Sequence, residues 1–223
     1  MPNMYYYREP QMYDINEEMD ERLITVVGTG KVDVEPDTAI LKIGVITKDT
    51  DIIEAQDENK NTMNAVIEGL ISNGIDETDI KTIQYTVTPQ YDYIDGKQVF
   101  REYEIRHVLE VTIKDTNKVG VIIDDAVKDG ANYQQGLTFA VDNPENYYDR
   151  ALQLAVINSQ EKATNIANTL QGNINMQPIK ITEKTRKDQI APYEQSITYR
   201  NGGTPIQTGK LSIISTVEAT YEY

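Results

Sequence analysis

The chain has 223 residues and a formal net charge of −15, which opposes binding to nucleic acid or to an anionic membrane surface, where affinity comes largely from Lys and Arg. It contains no cysteine, so disulfides and thiolate metal sites are excluded. No run approaches the roughly 20 apolar residues of a membrane-spanning helix, so no membrane insertion is expected, and 39% hydrophobic residues suffice for the core of one large or two small domains.

Residues 1–22 carry Tyr5, Tyr6, Tyr7 and Tyr13, then Asp14, Glu17, Glu18, Asp20 and Glu21, with no sustained period. They read as a flexible, Tyr-rich acidic N-terminal arm, either a solvated extension or one whose tyrosines dock on a neighbouring subunit. The opening MPNMYYYREP lacks the basic-then-apolar order of a secretory signal, so on the face of the sequence the chain is cytoplasmic.

A single α+β domain is expected over 23–223. Leu23–Ile46 reads as a strand, a Pro36–Asp37 turn and a second strand. Gly28-Thr29-Gly30 invites comparison with a dinucleotide-binding turn, but Asp33 stands where the third glycine belongs, and Lys31–Glu35 alternates as a strand does. A glycine pair inside a strand marks a bulge or a close backbone approach. In the second strand Ala39, Leu41, Ile43 and Val45 share an inner face. Asp49-Thr50-Asp51 then offers caps for a helix to about Asn73, with Ile52, Met63, Val66 and Leu70 as its apolar seam, Gln56 and Asn59 at the intervening steps, and Gly74 as its stop.

Ile80–Tyr93 alternates again, with Ile83, Tyr85 and Val87 on one side. Asp95-Gly96 signals a hairpin, and Val99–Lys114 returns with Ile105, His107, Leu109, Val111 and Ile113 on one face. Val119, Ile122, Ile123, Ala126 and Val127 form the apolar face of a short helix, Tyr133–Val141 a strand, and Asn143-Pro144 opens the longest helix. Its row Ala151, Ala155, Ser159, Ala163, Ala167 lets the helix backbone sit close to whatever it packs on. Strands follow at Ile179–Lys184 and Leu211–Tyr223. Between them Arg186–Gly209 is a long excursion of the kind that carries function or lacks order.

Candidate reactive groups are few. His107 is the only histidine, and its place among apolar neighbours predicts a packed side chain with a satisfied nitrogen rather than a proton shuttle. Asp124-Asp125 and Asp49/Asp51 could serve acid/base work or calcium, yet lack EF-hand spacing and fit helix ends and exposed faces. No catalytic residue, cofactor or metal is assigned.

Ile24–Gly30, Pro36-Asp37-Thr38-Ala39, Gly44-Val45, Glu54-Ala55, Asn59, Gly74-Ile75, Thr82, Pro89, Tyr91, Tyr93, the spaced alanines and Val217–Tyr221 together resemble the SIMPL-domain family, which includes the bacterial periplasmic immunogenic proteins. The resemblance implies an α+β fold with a mixed, largely antiparallel sheet and helices packed on it. It also implies self-assembly into a homo-oligomer, with stress protection and a role at the bacterial envelope suggested and no catalytic residues to carry over. A non-enzymatic structural or protective protein is therefore expected. The interface expected on this basis comprises Tyr5, Tyr6, Tyr7, Tyr13, Tyr193 and Tyr199, with the chain itself as partner. The rival expectation is a ligand-binding or enzymatic module with a cleft between the sheet and the 186–209 loop, using Tyr91, Tyr93 or His107.

Overall fold

The computed structural model describes residues 22–184, 190–193 and 204–223. Among the described residues eight strands follow one another: β1 (Leu23–Val34), β2 (Thr38–Asp49), β3 (Ile80–Ile94), β4 (Lys97–Ile113), β5 (Tyr133–Ala140), β6 (Lys180–Glu183), β7 (Ile190–Tyr193) and β8 (Lys210–Glu222). Three helices, α1 (Ile52–Ser72), α2 (Val119–Lys128) and α3 (Glu145–Thr169), interrupt them. The α+β class and the antiparallel pairing are as expected, but the strands divide between two sheets. One runs β1-β8-β6, with β7 also on β8, and the other β3-β4-β2-β5. The Pro36–Asp37 turn therefore does not close a hairpin: it carries the chain from the first sheet into the second.

Strict alternation builds the first sheet. Along β1 every second residue from Ile24 to Val34 is buried, and β8 answers with Leu211, Ile213, Ser215, Val217, Ala219 and Tyr221. This side is covered by α3, whose buried row is Ala151, Ala155, Ser159, Ala163 and Ala167. The small residues on both surfaces answer one another. A Cβ on Gly28 would come within 2.7 Å of the Ser159 Cβ, so the glycine pair marks the close approach of strand and helix that the sequence suggests.

The second sheet is covered by α1 and α2. Ala39, Leu41, Ile43 and Val45 meet Met63, Val66, Leu70, Ile122 and Ala126 in the largest apolar cluster. Two expected seam positions differ. Ile52 is exposed, because it lies in the first turn of α1, and the seam begins instead at Ala55, with Asn59 buried at its expected step. Asn59 Nδ2 donates to the Val45 and Ile105 carbonyls, at 3.1 and 3.4 Å, and so ties the helix to β2 and β4. Val127, expected on the apolar face of α2, is also exposed.

Three of the described sheet edges are blunted, each by a different device. On β1 the Thr29 N–H donates to Asn158 Oδ1, and Lys162 Nζ donates to the Val27 carbonyl, so α3 side chains occupy the edge. On β3 the register slips at Ile83, and Pro89 removes a donor. On β5 an extra residue, Gln135, bulges between the pairs Lys42–Gly136 and Ile43–Gln134.

Candidate functional site: a projecting aromatic ribbon

The strand lengths create the most unusual surface. With 15 and 17 residues, β3 and β4 outrun the 12 residues of β2, whose last pair with β4 is Asp49–Tyr103. Beyond it, Lys97–Glu102 pair with β3 alone, as a two-stranded ribbon reaching about 20 Å past the sheet at the usual strand rise. The tip is the Asp95-Gly96 turn, both residues at positive φ (50° and 76°), the hand that matches strand twist in a two-residue hairpin.

The two faces differ in chemistry. On the side that becomes core-facing at fully buried Ile105, the cross-strand rows are Val87–Ile105, Pro89–Tyr103, Tyr91–Phe100 and Tyr93–Gln98. The Tyr91 and Phe100 rings meet edge to face, with centroids 5.9 Å apart, and Phe100 and Tyr103 lie tilted at 5.0 Å. Tyr93 is 77% exposed. The other face carries Asp92, Glu102 and Glu104 against Lys48, Arg101 and Arg106, three acids and three bases. They are linked by Arg101 to Asp92 at 3.2 Å and Glu102 at 3.0 Å, Lys48 to Glu104 at 3.3 Å, and Arg106 to Glu104 at 3.0 Å. Burial alone would raise the Glu104 carboxyl, but Lys48 and Arg106 outweigh it and hold the group below the ordinary glutamate range. The ribbon is thus one charge-free aromatic face backed by a face of largely paired charges that also exposes Val99 and Ile94 near the tip, in a chain of net charge −15.

His107 sits where the ribbon joins the body. Its Nε2 lies 3.1 Å from Thr82 Oγ1, the Tyr85 ring meets it edge to face at 5.3 Å, and Gln56 Nε2 donates to the Tyr85 hydroxyl. Burial pushes the imidazole below its usual pKa. This is a packed histidine with a satisfied nitrogen, as its sequence neighbours imply.

The candidate acid pairs serve structure. Asp51 accepts the Ile53 N–H, and Asp49 accepts the Asp51 N–H, both at 2.8 Å, so the two form the cap of α1. Asp124 accepts the Thr204 N–H at 3.0 Å and also the Thr204 hydroxyl, clipping the end of the 186–209 excursion to α2. Asp125 pairs with Lys128 at 2.7 Å, which keeps its carboxyl below the usual range. Among the described residues no group of three or more His, Asp or Glu side chains is placed to hold a metal, and no helix is long and apolar enough to cross a membrane.

A shallow depression of about 420 Å³ lies at the start of α3, lined by Asp37, Val141, Asp142, Asn143, Asn146, Tyr147 and Arg150. None of these belongs to residues 186–209, and Tyr91, Tyr93 and His107 do not border it. Of the expected interface tyrosines, Tyr5, Tyr6, Tyr7, Tyr13 and Tyr199 lie outside the described residues, and of Tyr193 only the backbone is described, in β7. The aromatic face of the ribbon is absent from the sequence expectation. Its signal was the length of the two strands flanking Asp95-Gly96, both longer than the β2 strand that pairs beside β4.

Two antiparallel sheets, each covered on one side by helices, with a hairpin overhanging one of them, define an α+β protein whose most distinctive surface is an exposed aromatic stripe. The chain belongs to the SIMPL family, described as "Protein of unknown function (DUF541)", which it matches over residues 24–221. It is 32% identical over 153 residues to the uncharacterised protein YggE of Escherichia coli K12, covering 69% of this chain and 62% of that protein. It is 27% identical over 210 residues to the 26 kDa periplasmic immunogenic protein of Brucella melitensis, covering 89% of this chain and 84% of the relative. The matched region thus spans somewhat less than two thirds of the length of YggE.

Proposed function

We propose that this is a non-enzymatic, self-associating protein of the bacterial envelope, with a structural or protective role exerted as a homo-oligomer. The observation that carries the reading is the stripe Val87, Tyr91, Tyr93, Phe100, which leaves four large apolar side chains exposed in a row from the edge of the sheet out along the two-stranded ribbon. Contiguous apolar surface of this kind marks a contact site, and aromatic side chains dominate interface energetics. The periplasmic label of the Brucella relative supports the envelope location. Tyr5, Tyr6, Tyr7 and Tyr13 are proposed as a second, accessory contact.

Light scattering on the purified chain tests this. The expected result is a particle of several times 25.3 kDa, reduced by the double substitution Tyr93→Lys, Phe100→Lys with an unchanged circular dichroism spectrum. Deleting residues 1–22 is expected to alter the particle mass while leaving the fold intact. A 25.3 kDa species at high concentration overturns the reading. The rival, a ligand cleft using Tyr91, Tyr93 or His107, has less support, since the two tyrosines stand out on the ribbon and His107 is packed at its base.

A further inference from the structure

The stripe ends against the first turn of α1. Asp49, the last residue of β2, lies opposite Tyr103, and Ile52 begins the helix three residues later. Ile52 and Ile53 are both exposed there, at 40% and 63%. This corner is strongly acidic: residues 49–58 contain Asp49, Asp51, Glu54, Asp57 and Glu58 and no basic residue. The opposite end of the stripe, the hairpin tip, is neutral, with Asp95 beside Lys97, and Lys97 makes no ion pair among the described residues.

We infer that two copies of the chain pack their ribbons aromatic face to aromatic face and antiparallel about a two-fold axis. Each hairpin tip then lies on the partner's Ile52–Ile53 turn.

Three observations select this arrangement. First, edge pairing is opposed at β1, β3 and β5, where Asn158 and Lys162 occupy the first edge, Pro89 interrupts the second and Gln135 bulges from the third. On the open β4 edge of the ribbon Arg101 bulges between the pairs Gln90–Glu102 and Tyr91–Phe100, so packing on the face is favoured over strand addition. Second, the rings are packed edge to face and tilted rather than coplanar, which gives a surface of knobs and gaps. Such a surface suits interdigitation with a second side-chain layer about 10 Å away and not the flat stacking of a sugar ring. Third, charge sets the direction. With the tips aligned, the two acidic corners face each other and bring ten carboxylates together. In the reversed register they are a ribbon length apart, each beside a neutral tip, and the charge-free stripes let chains of net charge −15 approach. The exposed stripe and the Ile52–Ile53 turn supply roughly 500 Å² per copy, about 1,000 Å² in all, the lower bound for a specific interface.

The proposal rests on self-association but fails separately from it. The chain has no cysteine, so single cysteines report contacts cleanly. Gln98→Cys at the tip and Ile53→Cys on α1, both exposed positions, are prepared as separate proteins, mixed, and treated with a short bismaleimide. A product of twice the chain mass is expected in the mixture and not from either protein alone, and Tyr93→Lys in both partners is expected to lower its yield at least tenfold. Cross-linking of Gln98→Cys with itself overturns the antiparallel register. An oligomer by light scattering that gives no product in the mixture overturns the ribbon contact while leaving self-association standing. A monomer by light scattering removes both.

Discussion

A Cβ on Gly30 would fall far inside contact distance of the Ala151 carbonyl oxygen and lie 2.5 Å from the Ala155 amide nitrogen. The backbone of α3 thus rests directly on the backbone of β1, with Gly28 and Gly30 on one side and the alanine row on the other. Gly30→Ala inserts a methyl where only backbone can yield. The expected cost is about 3 kcal/mol, at the upper end of overpacking penalties, read from the urea midpoint. Gly136→Ala is the control: its Cβ would meet nothing within 4 Å, and its stability should stay within roughly 0.5 kcal/mol of the parent.

The same interface buries a hydroxyl pair whose two members are not equivalent. Ser159 Oγ and the hydroxyl of fully buried Tyr221 are 2.7 Å apart, and Ser159 Oγ also donates to the Val156 carbonyl at 2.7 Å. Ser159→Ala strands the tyrosine hydroxyl in an apolar cluster, which should cost about 1–3 kcal/mol. Tyr221→Phe leaves the serine bonded to Val156 and should cost less, about 1 kcal/mol. The double variant should be less destabilised than the sum, and chemical denaturation of all four proteins would show the coupling.

At the ribbon tip the expectation is local. Gly96 holds φ at 76°, which a β-branched residue adopts only under strain. Gly96→Val should cost roughly 1–2 kcal/mol in the turn. Because Lys97–Glu102 have no third strand beside them, that cost should appear as faster amide hydrogen exchange at Gln98 and Phe100, with little change in the global denaturation midpoint. Loss of exchange protection in Leu41 or Val111 would contradict an independently opening ribbon.

The sequence was most legible where burial follows from a local pattern. Ala39–Val45 and Leu211–Ala219 alternate because one side of each strand faces a helix, and the alanine row of α3 announces close packing whatever lies beneath it. The division into two sheets was not legible, since a Pro-Asp turn between two amphipathic strands reads the same whether they pair or part. The ribbon face was hidden for a related reason. Tyr91 and Tyr93 continue the alternation of a core strand, and their exposure follows from their place beyond the last β2 pair and the start of α1, whereas Ile83 is exposed at the register slip of β3. Alternation reports which side is apolar; only tertiary placement decides whether anything covers it.

His107 supplies a pH probe, because it is the only histidine in the chain. Burial lowers its folded-state pKa below the unfolded value near 6.5. The unfolded chain therefore binds the proton more readily, so the stabilising contribution is present above the unfolded pKa and is lost as pH falls through the folded one. The imidazole resonance should titrate with a midpoint below 6.5, and His107→Gln should flatten the fall in stability between about pH 6.5 and 5. Carboxylates such as Glu104 and Asp125, held below their ordinary values, act at lower pH and should still destabilise the variant there. Since Tyr85 packs on the imidazole and Gln56 of α1 holds Tyr85, protonation should loosen the base of the ribbon first. Amide exchange at Tyr85 and Arg106 should therefore rise before that of Leu41 as the solution is acidified, and a simultaneous rise at all three would show that the histidine acts only on global stability.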